Sequence, residues 1–240
     1  MTETVTPETV TPETVTPETV RVWRIRLDVG DDVVARLRPV LDGRERARAD
    51  RLVSAGHRRR YVVAHGALRH ILSARLGVPP GALRWTAGPN GKPRVAGRAD
   101  VEWNLSHSGD VALVAVTGGR PVGVDVETAR PAFDAGAFAA RFFPAEDGRY
   151  LEDGEGEGVG ERFARLWTRR EACVKAAGAR LAQGLRLPVG APGPLLVRDP
   201  TGTLPGPWLV WDVEVDEGFV GAVALAGAEP VRVVTAGWSP

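Results

Sequence analysis

The chain has 240 residues, 43% of them apolar and 25% charged, with a formal net charge of +1. That length suffices for one large or two small cored domains, and no apolar run approaches the roughly 20 residues a membrane-spanning helix needs. A single cysteine, Cys173, excludes an internal disulfide, and with no basic-then-apolar leader pattern a cytoplasmic protein is expected.

Residues 1–20 repeat the unit VTPET three times from Val5. Thr, Pro and Glu without large apolar residues bury too little surface to offset ordering, so a disordered tail is expected. Alternating apolar and basic residues from Arg21 to Leu27 predict a strand. From Asp42 to Leu76 the sequence is proline-free and rich in Arg, Ala and Leu, which predicts one or two helices ending at Gly77. A hairpin-like stretch follows, Leu83–Trp85 and Lys92–Arg94 about the turn Gly88-Pro89-Asn90-Gly91. Strands are expected at Val101–Leu105, Val111–Val116 and Pro121–Glu127, and a helix from Phe133 to Phe143. An exposed mobile loop is expected over 145–160, then a strong helix from Arg162 to Leu181. Strands at Leu195–Arg198, Trp208–Val215, Phe219–Leu225 and Val231–Thr235 close the chain. The order strand, helices, strands occurs twice. It predicts an α+β fold of two similar halves in a pseudo-twofold plan, residues 21–118 and 119–240, each a small antiparallel-type sheet packed with helices.

Charge is unevenly spread. Residues 21–120 carry 19 basic against 9 acidic side chains, and residues 121–240 carry 12 against 17. A basic half joined to an acidic half suits an anionic ligand held beside a metal, although two ordinary solvated surfaces give the same pattern. Only two of the 31 basic residues are lysines, Lys92 and Lys175. Lysine is a compact point charge where arginine is a planar fork, so these two positions stand out.

Asp125 and Glu127 are two apart in a predicted strand, which points both to one face. Such a pair is either a solvent-facing strand edge or part of an all-oxygen site suited to Mg2+. Glu171 and Lys175 share a helix face, as an i,i+4 surface ion pair or as site residues. Cys173 falls on the apolar stripe with Leu166, Trp167 and Val174, and is expected in the core. Ser106 and His107 end a strand, where hydroxyl, imidazole and backbone N–H groups suit a phosphate. No nucleophile elbow accompanies them. The turn before Lys92 is not a phosphate loop, because Thr86 and Pro93 break that pattern. His57, His65 and His70 read as surface or packing residues. The Arg58-Arg59-Arg60 run reads as a solvated face, and the acidic second half argues against nucleic acid.

In order, the GKP turn, WNLSHSGDVALVAV, GVDVE, FFP and LWTRREACVKAAG closely resemble the phosphopantetheinyl transferases of the surfactin-synthetase type, over about residues 42–188. The resemblance implies Mg2+ ligands at Asp125, Glu127 and Glu171, with Glu171 doubling as general base and Lys175 beside it. It implies that Lys92, Ser106 and His107 meet coenzyme A phosphates, with Arg48 loosely matched to a basic residue near the 3'-phosphate. Arg170 departs from the family's usual lysine but keeps the charge. The first half would bind coenzyme A, and the second would hold the metal and catalytic residues. An acyl- or peptidyl-carrier protein would be the acceptor, with Phe142, Phe143 and the 145–160 loop at its docking face, and the enzyme would act as a monomer. The competing readings are a binding protein for coenzyme A or a carrier, without transfer, and a metal-dependent phosphohydrolase.

Overall fold

The computed structural model of the chain describes residues 19–129, 133–153 and 158–240. Strand β1 (Thr19–Arg26) is followed by helices α1 (Asp31–Leu37), α2 (Gly43–Asp50) and α3 (Ala55–Leu76). The hairpin β2 (Trp85–Ala87) and β3 (Pro93–Val95) comes next, then strands β4 (Glu102–Ser108) and β5 (Val111–Thr117). The second half runs β6 (Val122–Thr128), α4 (Ala135–Phe142), α5 (Ala145–Asp153), α6 (Val159–Ala177) and α7 (Leu181–Gly184). It ends in β7 (Leu195–Val197), β8 (Trp208–Val213), β9 (Phe219–Ala226) and β10 (Arg232–Trp238). None of these helices is long and apolar enough to cross a membrane.

Local chemistry sets the helix ends. Asp42 caps α2, accepting from the Glu45 N–H while Glu45 reaches back to the Asp42 N–H. Ser54 caps α3 through the His57 N–H. Helices α3 and α6 both stop at a glycine in the left-handed region, Gly77 at φ 66° and Gly178 at φ 61°.

The strands form two four-stranded sheets, ordered β10-β1-β5-β4 and β6-β9-β8-β7, and the β2–β3 hairpin stands apart. Every pairing is antiparallel except β1 with β10. The fold is therefore α+β with small, mainly antiparallel sheets. The last strand of the expected 119–240 half crosses back to the first sheet. All but the last two residues of the expected tail lie outside the described residues, and Thr19 and Val20 already belong to β1. The expected loop over 145–160 is instead helix α5 up to Asp153, and 154–157 lie outside the described residues. Asp147, in the first turn of α5, is buried against Arg170 of α6, a tertiary contact that local composition does not reveal.

Alternation along the strands distributes the core over four layers. Ala112, Val114 and Val116 of β5 pack with Val63, Ala67 and Leu68 of α3. Leu113 and Ala115 turn the other way, onto Val122, Val124 and Val126 of β6 and Val223 of β9. The outer face of the second sheet, including Ala222 and Ala224, packs with Leu166, Ala172 and Cys173 of α6. Each sheet thus has a long helix on one face and the other sheet on the opposite face.

A buried ion cluster anchors the first half. Arg69 of α3, fully buried, donates to Glu45 Oε2 at 2.7 Å and to Asp42 Oδ2 at 2.9 Å. Trp85 Nε1 donates to Glu45 Oε1 at 2.9 Å. Burial pushes the Glu45 carboxyl up, but hydrogen bonds from His65, the Asp42 N–H and Arg69 outweigh it and hold Glu45 at about 2, below its ordinary 4.5. A depressed carboxyl stabilises the fold above its unfolded value, and that contribution fades as pH falls from 4.5 towards 2. Glu45→Gln is expected to cost on the order of 3 kcal/mol at pH 7. Its deficit against the parent should shrink steadily below pH 4.5, measured by urea unfolding across pH.

Candidate active site at the seam between the sheets

The free edge of β6 runs beside β4, and side chains join the two strands. Asn104 Oδ1 accepts from the Val124 N–H at 2.9 Å. Ser106 Oγ donates to Asp125 Oδ1 at 2.7 Å, and Ser108 Oγ donates to Glu127 Oε2 at 2.9 Å. Residues 104, 106 and 108 of β4 share one face by the period of two, and meet β6 in step.

Val122, Val124 and Val126 face the inter-sheet core, so Gly123, Asp125 and Glu127 face α6. A Cβ on Gly123 would fall 2.0 Å from the Ala172 carbonyl oxygen and 2.5 Å from the Ala176 nitrogen. Only glycine admits the helix this close to the strand. Helix α6 then carries Lys175 over β6, where Nζ donates to Asp125 Oδ1 at 2.6 Å and to Ser106 Oγ at 3.0 Å. Lys175 is thus not a plain surface partner of Glu171.

The three acids feel one another. Burial pushes Glu171 up, and the charges of Asp125 and Glu127 add to it. Glu127 is raised by burial and then by Asp125. Asp125, only 2% exposed, is raised by burial against the pull of Lys175 and Ser106. Its Oδ2 is buried with no hydrogen-bond partner. One lysine does not balance three carboxylates, and a buried acceptor without a donor is costly. Hard oxygen donors with unmet charge fit Mg2+. Among the described residues no three acids, imidazoles or thiols are already drawn into a coordinating cluster, so ion binding would have to draw these carboxylates together.

The remaining expected residues divide. Odd-numbered Trp103 and Leu105 of β4 face α3, and His107 continues that face. It is held below its ordinary pKa by desolvation and by the charges of His65, Lys175, Arg60 and His57. His57 is exposed and His65 packs on Tyr61, the surface and packing places that the sequence suggested. Arg48 is exposed on α2, and its charge acts on Tyr61, which stacks on His65 with ring centroids 4.0 Å apart. Lys92, expected at a coenzyme A phosphate, is 7% exposed, and its Nζ lies 3.2 Å from Glu102 Oε2. It also donates to the carbonyl oxygens of Val122 at 2.9 Å and Ala176 at 3.5 Å. The chain's own acceptors therefore surround its ammonium. Arg170 faces away from the acids, buried against Asp147 and over the Phe143 ring at 3.7 Å. Cys173 is in the core, its thiol pushed up by burial. Sequence reasoning missed Gly123, Asn104 and Ser108. The GVDVE glycine and the period-two polar run in NLSHS were the available signals.

An α+β fold with carboxylates, a lysine and serines gathered at a sheet junction has the makings of an enzyme acting on a charged group. The family model of the 4'-phosphopantetheinyl transferase superfamily matches residues 121–217, the stretch from β6 past β8. The 4'-phosphopantetheinyl transferase HetI of Nostoc sp. is 34% identical, over 91% of this chain and 89% of that protein. The 4'-phosphopantetheinyl transferase psf-1 of Bacillus pumilus is 33% identical over 69% of this chain and 72% of its own length. Sfp of Bacillus subtilis is 26% identical over 66% and 70%. The chain belongs to the 4'-phosphopantetheinyl transferase superfamily, and is a transferase.

If the close approach at Gly123 sets the site, Gly123→Ala must move α6 off β6. It is expected to cost about 1–3 kcal/mol in urea unfolding and, by shifting the helix that carries Glu171 and Lys175, to lower transferase turnover about 10²-fold if these side chains act in the reaction.

Proposed function

We propose that the enzyme transfers the 4'-phosphopantetheine group of coenzyme A to a serine of an acyl- or peptidyl-carrier protein, releasing 3',5'-ADP, with Mg2+ as cofactor. The observation that carries this reading is the meeting of β6 and α6, where Asp125 keeps a buried, unpartnered oxygen beside Lys175 and the other acids are raised by burial and by their neighbours' charges. Relatives over most of the chain carry the transferase name.

In this reading the basic first half receives coenzyme A and the second half holds the chemistry. Arg48 and His107 face the nucleotide phosphates, and Ser106 and Lys175 face the pyrophosphate. Asp125, Glu127 and Glu171 would hold Mg2+, which when bound would neutralise charge on phosphate oxygens. Glu171, raised by burial and by Asp125, accepts the proton of the carrier serine hydroxyl. The serine oxygen bonds to the phosphorus that bears the pantetheine arm, and the bond from that phosphorus to the ADP oxygen breaks. Lys175 Nζ stabilises the charge left on the departing phosphate. Such transfer needs positioning and charge neutralisation and no protein nucleophile, which agrees with the buried Cys173.

The deciding experiment incubates apo carrier protein with coenzyme A and Mg2+ and weighs the product. A gain of one phosphopantetheine arm is expected. A carrier-free control separates transfer from hydrolysis, since free pantetheine phosphate would identify a phosphohydrolase, and coenzyme A binding without product would identify a binding protein. Glu171→Ala is expected to lower turnover by about 10²-fold or more while coenzyme A still binds. Near-normal turnover would remove Glu171 from the role of base.

A further inference from the structure

We propose that Lys92 is a positioning residue that fixes the free edge of β6, and does not take a phosphate. The proposal rests on the reading of Asp125 and Glu127 as working carboxylates. An ammonium has three N–H donors. Around Lys92 Nζ stand three acceptors of the chain itself, the carbonyls of Val122 and Ala176 and the carboxylate of Glu102. Glu102, also buried, is held from the other side by Arg94 at 2.8 Å. A phosphate arriving at Lys92 would meet that carboxylate.

What Lys92 touches explains why it is there. A strand edge without a partner leaves backbone groups that burial makes costly. Along the free edge of β6, Lys92 donates to the Val122 carbonyl, Asn104 accepts from the Val124 N–H, and Lys175 lies 3.5 Å from the Val124 carbonyl. Lys92 and Asn104 come from the first half and Lys175 from α6, so the edge that carries Asp125 is closed from both sides. At the Ala176 carbonyl Lys92 also meets the last turn of α6, where a cation is favoured. Asn90, two residues before it, donates to the Gly178 carbonyl at 2.6 Å. The GKP turn therefore ties β6 and α6 together from the first half.

The test compares Lys92→Met, Glu102→Gln and the double variant in the full chain. Amide hydrogen exchange of the metal-free protein is read at Val124 on β6 and at Trp23 on β1. Coenzyme A affinity is measured alongside. Loss of the buried Lys92 hydrogen bonds, or of the carboxylate that pairs with its ammonium, should speed exchange at Val124 about tenfold in each single variant, with Trp23 unchanged. The double variant should be no worse than either single one. Coenzyme A affinity should stay within about twofold, as expected when no phosphate contact is lost. A Lys92→Met protein that loses tenfold or more in coenzyme A affinity, with Val124 exchange unaltered, would make Lys92 a phosphate ligand and overturn the proposal. So would an equal rise at Val124 and Trp23, which marks general destabilisation. Should Lys92→Met not fold, the Glu102→Gln protein alone decides, because it keeps the side-chain shape and removes only the counter-charge. Failure of the parent to bind Mg2+ would count against the carboxylate reading, and leaves the exchange result to judge Lys92.

Discussion

The approach of α6 to β6 over Gly123 leaves no room for even a single methyl group between helix backbone and strand. Asp125 and Glu127 come from one element and Glu171 and Lys175 from the other. They meet because nothing but hydrogen stands between Gly123 and the Ala172–Ala176 turn. Small residues on the helix side, Ala172 and Ala176, are the matching half of that contact. Charge then acts over a short distance in a buried setting, which is why the acids raise one another and why Lys175 is drawn onto Asp125.

The two lysines of this arginine-dominated chain occupy equivalent places in that arrangement. Each sends a thin stem to a carbonyl on the free edge of β6, Lys92 to Val122 and Lys175 to Val124. A planar guanidinium needs a broad set of acceptors, and the buried arginines have them. Arg69 binds Glu45, Asp42 and two carbonyls, while Arg169 binds Asp212 and the carbonyls of Val189 and Ala191. Arg170 reaches Asp147 and the Leu166 and Leu185 carbonyls. These forks fasten helices to other helices, to loops and to β8. At the edge of β6 the acceptors converge on single ammonium groups, the geometry of a point charge.

Much of this was legible from local pattern. Period-two alternation places Asp125 and Glu127 on one face of β6, and the i,i+4 rule places Glu171 and Lys175 on one face of α6. The helix stop at Gly77 follows from glycine, whereas the helix expected to run to Leu181 ends at Ala177, before Gly178 in the left-handed region. Family order then indicated that the two faces belong together. Composition misled where tertiary contact overrides it. The Gly- and acid-rich stretch after Pro144 reads as loop, yet Asp147 is a buried partner of Arg170 and α5 forms around it. Helix α1 is short and carries its buried residues, Val33 and Leu37, too sparsely for a periodic signal. The return of β10 to β1 is a contact across the length of the chain, which no local rule reports. The burial of Lys92 was hidden for a related reason, since a lysine in a turn suggests exposure and its acceptors lie 10, 30 and 84 residues away.

The junction of the sheets is also where the fold forgoes a cheaper solution. Strands β4 and β6 lie side by side, and a backbone ladder between them would satisfy both edges at once. Asn104, Ser106 and Ser108 stand in its place, meeting Val124, Asp125 and Glu127 in step. A ladder would fix the carboxylates only through the backbone. Side-chain bonds hold their oxygens directly, and serine hydroxyls can turn to donate or accept as charge arrives. The polar seam therefore gives up regular pairing in favour of an edge whose acids are held through side chains, two of them by hydroxyls that can turn.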